Sequence, residues 1–444
     1  MAEEEFDDIN EMLRKFLAGG TDFDMSKFAA AAGLPQDPAT LSALMAQLRN
    51  AVQHGTDGIS EQMARDNATA VASEGSHATS ADDTTALTAA LGLAALWVDE
   101  ATTVPPLSTI PTLMTRPEWA RAALPAWIQF AEPVAQSISR AAETAITSQM
   151  GMQPGDDADP NMSGALPAMR RVTGTLFSVQ LGHVVGQLAR EVVSGGDIGL
   201  PLISGSHDHD VRAVMVPQNV AEFATDLGVS VDEVRLYLAA REIAHARLFR
   251  HAQWLKSHVV AAITDYARGI HIDSERIAEA LEGIDPANPS EIQQLMANGS
   301  LIPPRTDEQQ HALGRIETML ALIEGWVDTV VADATVRLPG GTAIAEMVRR
   351  RRAAGGPAEK AMAGLVGLEI RPRRLREAAA LWRAVTDTAG IEARDALWDH
   401  PDLVPTDSDI DYPAALHARM SAGAGASDDI DSELRAMLDD GVDE

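Results

Sequence analysis

One helix constrains this chain more than any other segment. Ser230-Val231-Asp232-Glu233 has the pattern of a capping box, with Ser230 at the cap and Glu233 three residues later. From there Val234, Leu238, Leu248, Phe249 and Ala252 recur at helical spacing. At about 100° per residue they define one stripe roughly 120° wide. Arg241, Glu242 and His245 fall inside that stripe. A helix that turns an arginine, a glutamate and a histidine toward the core needs partners for them from elsewhere, because each is costly to bury alone.

A second helix supplies one. Thr306-Asp307-Glu308-Gln309 is another capping box, and the helix it opens runs through His311 to about Val336. Leu313, Ile316, Leu320, Val327 and Val331 form its apolar face. Glu324 lies in the middle of that face, with Glu317 and Asp328 flanking it. A lone carboxylate at such a position is expensive.

Arg241-Glu242-Ile243-Ala244-His245 reads as H-E-x-x-H with its first histidine replaced by arginine. The full motif sets two histidines one turn apart on zinc, with the glutamate as general base. On that reading Glu242 is the base, His245 a zinc ligand, and Glu324 the third ligand of a His2Glu site. His251 follows His245 at the metzincin spacing, but on a continuing helix it points roughly 120° away. His207 and His209 form a His-x-His pair in a polar, loop-like segment, and Tyr237 stands two turns before His245. The competing reading is a buried ion pair, Arg241 with Glu324 or Glu242, and His245 hydrogen-bonded nearby. Glu242 and His245 also make a Glu-x-x-His pair, yet no second copy lies on a core-facing helix, as a di-iron bundle requires.

Three stretches carry a family resemblance: Glu233–Leu238 running into Arg241–Phe249, Glu324-Gly325-Trp326-Val327-Asp328, and Gly367–Arg376 followed by Ala379, Leu381 and Trp382. Together with looser similarity across roughly residues 85 to 420, they make the chain resemble the zincin-like metallopeptidases, which include bacterial hydrolases and zinc-dependent metalloproteases. The resemblance implies a zinc-dependent peptidase with Glu242 as base and His245 and Glu324 on the metal. Arg241, His251 and Asp328 are further candidates for the site. Arg241 departs from the family motif. It opens the alternative of a catalytically silent relative, a cytoplasmic interaction or scaffold protein with Arg241 ion-paired to Glu324 in place of metal.

The formal net charge of −30 argues against nucleic acid and anionic membranes as partners. There are no cysteines, so disulfides and thiolate metal sites are excluded. The acidic start Met1-Ala2-Glu3-Glu4-Glu5 lacks a signal peptide's basic region, and no apolar run of about 18 residues occurs. A cytoplasmic protein is expected, with a peptide or protein substrate if active. The acidic termini are a surface for a protein partner.

The organisation reads as mainly α, a large multi-helix, bundle-like zincin-type core with few short strands. The expected divisions are an N-terminal helical segment and polar linker over 1–84, the core over 85–420, and an acidic tail over 421–444. Within these, helices are expected over Phe6–Leu17, from Asp37 to about Gln53, over Ala86–Trp97, and from Leu166 to Val193, with His183 in the core. Another is expected after Thr115-Arg116-Pro117-Glu118, broken or kinked by Pro125 and Pro133. Ser73–Asp83 and Gln153–Ser163 read as loops, and Val211–Val216 and Val366–Ile370 as strands. Arg349–Arg352 and Arg371, Arg373, Arg374 and Arg376 read as solvated basic faces, with recognition of an acidic partner or a substrate carboxylate as the alternative.

Overall fold

The computed structural model describes residues 58–149, 162–204, 211–225, 228–270, 305–356, 360, 363 and 374–421. Phe6–Leu17, the helix from Asp37, His207 and His209, the strand candidate Val366–Ile370 and the tail beyond Ser421 lie outside the described residues. The fold is mainly α.

The chain forms two compact units. The smaller combines Met1–Ala64, Ala131–Gln180 and Tyr266–Gln309. Within it, Ser178 Oγ accepts the Ser60 N–H at 2.8 Å and donates to the Gly174 carbonyl at 2.6 Å. The capping box at Thr306 forms as its sequence predicts, Thr306 and Gln309 exchanging backbone-to-side-chain bonds of 3.0 and 3.2 Å.

The larger unit combines Arg65–Phe130, Leu181–Asp265 and Gln310–Glu444, and it holds the motif. In chain order the helices are α1 (Glu61–Ser73), α2 (Ala81–Asp99), α3 (Arg116–Gln149), α4 (Met162–Glu191), α5 (Pro217–Ala224), α6 (Val231–His251), α7 (Trp254–Arg268), α8 (Asp307–Ala334), α9 (Gly341–Ala353), α10 (Leu375–Ala396) and α11 (Asp407–Asp411). The expected loop before α2 is present, and Ser80 caps that helix by accepting the Asp83 N–H at 3.0 Å. Glu118 takes both the N–H and the hydroxyl of Thr115 at 2.7 Å, closing the start of α3.

Three local expectations are corrected. Pro125 and Pro133 do not break α3, which runs unbroken past both. An interior proline costs about 3 kcal/mol. Here burial of Trp119, Leu124, Trp127, Phe130 and Val134 along the same helix outweighs it. His183 is exposed and contacts Gln187 at 2.8 Å, because α4 turns that face outward. Ser230 is the N-cap of α6 but makes no side-chain cap bond. Glu233 instead accepts the Gly340 N–H at 2.8 Å, satisfying an amide at the start of α9 that no intrahelical carbonyl can reach.

Helix α6 is buried on every side from Tyr237 to Phe249, not on one stripe. Helix α2 packs along it through Leu87, Leu91, Ala94 and Val98, tied at its two ends by the pairs Asp83–Arg235 and Asp99–Arg247. A small sheet lies beside it as well. Strand β1 (Thr112–Leu113) pairs in parallel with β2 (Val214–Met215), inside the expected Val211–Val216 segment, and Ser194 bridges Met215 antiparallel. Asn219 fixes the approach to that sheet by donating to the Ala189 and Val192 carbonyls at the end of α4. Among the described residues no helix is long and apolar enough to cross a membrane.

Candidate functional site

Helix α6 brings Arg241, Glu242 and His245 to one place, and α8 brings Glu324 and Asp328. Two further segments join them. Helix α9 contributes Arg349, Arg351 and Arg352, and the loop from α4 to β2 contributes Asp197.

Glu324 is the hub. Its Oε2 lies 2.7 Å from Arg241 Nη2 and 2.7 Å from Arg352 Nη1, and its Oε1 lies 2.9 Å from His245 Nε2. Arg241 also reaches Asp328 at 3.7 Å. Arg349 holds Asp328 from the other side at 3.2 Å. Asp197 pairs with Arg351 at 3.2 Å, and its carbonyl accepts from Arg352 Nη2 at 2.5 Å. Arg352 therefore spans the site from the loop to Glu324.

Glu242 faces backbone. Its Oε1 accepts the Val214 N–H at 2.7 Å and its Oε2 the Gly196 N–H at 2.8 Å. The carboxyl thus closes the end of the small sheet and anchors the loop in one step. That loop passes directly over the site. A Cβ on Gly196 would sit 2.5 Å from His245 Cβ, and one on Gly199, at φ +73°, would sit 2.8 Å from Glu324 Oε1. Only glycine permits this approach, and at Gly199 also this backbone conformation. The result is a roofed cluster: Glu242 and His245 are each 1% exposed, Glu324 4% and Arg241 5%.

Burial opposes ionisation of Glu324, yet Arg352, His245 and Arg241 beside it hold its carboxyl far below the usual carboxylate range. Asp197 follows the same logic: burial works against the charge, and Arg351 and Arg352 override it. Burial lowers the His245 pKa, Arg241 and Arg352 push the same way, and Glu324 opposes them. Both ring nitrogens of His245 face acceptors, the Arg241 carbonyl and Glu324, each at 2.9 Å. A neutral ring serves only one of them. The proton on Nε2, toward the carboxylate, makes the stronger charge-assisted bond.

Glu242 is the exception among the acids. Burial pushes its pKa from 4.5 to about 7, against the lowering effect of the bonds from Val214, Gly196 and Ser194. A carboxyl that binds its proton more tightly when folded stabilises the fold below its unfolded pKa of 4.5, and that contribution is lost as pH rises through about 7. The wild-type urea midpoint should therefore fall between pH 4.5 and pH 7 relative to Glu242→Gln, which has no proton to lose there. Two midpoints that keep a constant separation across this range would refute the raised pKa.

A catalytic zinc site needs three protein ligands of suitable type. His245 and Glu324 are two, and the guanidinium of Arg241 stands where the motif calls for a third. Among the described residues no group of three or more histidine, cysteine, aspartate or glutamate side chains could hold a metal ion. The donor set as arranged does not fit zinc.

A model of the zincin-like metallopeptidase family matches residues 59–416 of the chain. This chain belongs to that family. No curated protein matches it. Among solved structures, the crystal structure of a "putative hydrolase with a novel fold" from Chloroflexus aurantiacus shares its fold at 20% identity, with a TM-score of 0.54. That likeness covers 82% of this chain and 99% of the other.

In this zincin-like chain Arg241, His245, Glu324 and Asp328, all read from the sequence, come together, while Glu242 turns to the Gly196 and Val214 amides. His251 pairs instead with Asp399 at 2.7 Å. Sequence reasoning missed Asp197, Gly196 and Gly199, although Gly195-Gly196-Asp197 directly after a long helix signals a tight, close-packed turn. It also placed Arg349–Arg352 on a solvated face. Three of the four turn to the site's carboxylates, and only Arg350 stays outside, paired with Glu346 at 3.1 Å.

Proposed function

We propose that this zincin-like protein works by binding rather than by hydrolysis, as a cytoplasmic interaction or scaffold protein whose catalytic centre is a closed ion cluster. One observation carries the reading: Oε2 of Glu324, the carboxylate oxygen nearest the arginine that breaks the motif, is held by two guanidinium groups at 2.7 Å each. The roof over Glu242 and His245 supports it, because Gly196 closes onto His245 and both side chains are 1% exposed. The acidic charge of the terminal sequences makes them the candidate segments for contact with a protein partner.

A second reading, a zinc-dependent metallopeptidase with Glu242 as general base and His245 and Glu324 on the metal, has one specific observation in its favour. His245 Nδ1 lies 2.9 Å from the Arg241 carbonyl, the kind of contact that orients Nε2 of a zinc-bound histidine.

The two readings separate in metal content and in peptide cleavage. Elemental mass spectrometry on tag-free wild type, before and after incubation with zinc, should find no bound metal. Peptide cleavage should be no greater for wild type than for Glu242→Gln. About one zinc per chain, lost in Glu324→Ala, together with cleavage lost in Glu242→Gln, would establish the peptidase instead.

A further inference from the structure

We infer that Arg241 and Arg352 together substitute for the divalent cation, so that the cluster is closed to zinc by charge and not only by the loss of one ligand. The inference rests on the binding reading above and assigns a role to a residue outside the motif. Arg241 comes from the motif helix and Arg352 from the far end of α9, and both ion-pair with the same oxygen of Glu324. Each guanidinium carries a permanent single charge. Two of them therefore give Glu324 the +2 that a zinc ion would supply.

Replacing a lost ligand does not explain Arg352. It lies more than a hundred residues after the motif, in a run of four arginines, and nothing in H-E-x-x-H calls for it. Its position follows instead from charge. A glutamate 4% exposed, with Arg241 on Oε2 and His245 on Oε1, can still take a second cation at Oε2. Arg352 reaches it while its other terminal nitrogen holds the Asp197 carbonyl in the roof. The same side chain thus completes the charge at the floor and secures the loop above it. A zinc ion arriving at Glu324 would meet two fixed cations, and their repulsion would act even if His245 were free to coordinate.

It follows that restoring the motif histidine alone is not enough. Arg241→His leaves Arg352 on Glu324. Arg241→His combined with Arg352→Met removes both cations and supplies a second histidine one turn from His245, which gives the His2Glu donor set. Wild type, Arg241→His and the double variant would each be equilibrated with zinc, desalted and measured by elemental mass spectrometry, with thermal melts run with and without zinc and after EDTA. The expected result is no zinc on wild type and at least tenfold weaker uptake by Arg241→His than by the double variant. The double variant should hold about one zinc per chain, with a melting temperature that zinc raises by several degrees and EDTA returns.

Equal uptake by the single and double variants would remove Arg352 from the explanation and overturn the inference. A folded double variant that takes up no zinc would overturn it too, while leaving the metal-free reading of the wild type intact. Zinc on the wild type itself would end both. If the double variant is unfolded without metal, it would be refolded with zinc, since metal binding couples to folding. A folded protein carrying zinc would support the inference, and a chain that stays unfolded with zinc would overturn it.

Discussion

Replacing Glu324 with alanine should lower the unfolding free energy by about 3–5 kcal/mol, the usual cost of breaking a buried ion pair from one side. The carboxylate is 4% exposed and serves three groups at once. Without it Arg352 keeps Asp197, and Arg241 keeps the longer contact to Asp328. Nε2 of His245 keeps nothing of comparable strength. Glu324→Gln separates charge from volume. It fills nearly the same space but offers an amide nitrogen to one of the cations, so it should also destabilise. Urea unfolding at pH 7 reads both variants, and a loss under about 1 kcal/mol, the scale of an exposed pair, would show that Glu324 is not the hub described. A depressed carboxyl contributes stability above its unfolded pKa of 4.5 and loses it as pH falls, so Glu324→Gln should lose less stability than wild type below that value.

The two helices that carry this cluster were legible in the sequence because their signals are local. Apolar spacing placed α6 and α8, and charged residues on those apolar faces marked Arg241, Glu242, His245 and Glu324 before any contact was known. The partnership of Arg241 with Glu324 was legible only as the alternative to a zinc site, with Glu242 as the other partner in view, since few groups can satisfy a buried guanidinium. What stayed hidden depends on distance along the chain. Glu233 looked like half of a capping box, but an amide at Gly340 competes for it. The arginines of α9 looked solvated because their partners lie on other elements, Asp197 before β2 and Glu324 and Asp328 on α8. The prolines of α3 obeyed their neighbours' burial and not their own preference. Local patterns state which groups must be satisfied, and the tertiary fold chooses by whom.

That choice shows again at the end of α10, where Asp395→Ala should also cost about 3–5 kcal/mol. Asp395 gathers six donors, one of them the Thr103 hydroxyl at 3.1 Å from Oδ2. Its Oδ2 accepts from the Thr102 hydroxyl at 2.6 Å, the Thr103 N–H at 2.8 Å and Arg394 Nη2 at 3.1 Å. Its Oδ1 accepts from Trp326 Nε1 at 2.9 Å and Arg394 Nε at 2.7 Å. Arg394 is fully buried and lies 5.8 Å above the Trp326 ring. Trp326 is two residues from Glu324, so this carboxylate ties the end of α10 and the segment after α2 to the helix that carries the hub. Deleting it strands a guanidinium in the core together with an indole N–H and a backbone N–H. If the stranded charge dominates, adding Arg394→Met to Asp395→Ala should recover part of the loss, because removing both members of a buried pair costs less than removing one. The expected order of urea midpoints is wild type, then the double variant, then Asp395→Ala. A double variant less stable than the single one would assign the loss to packing around Trp326 and not to the unpaired cation.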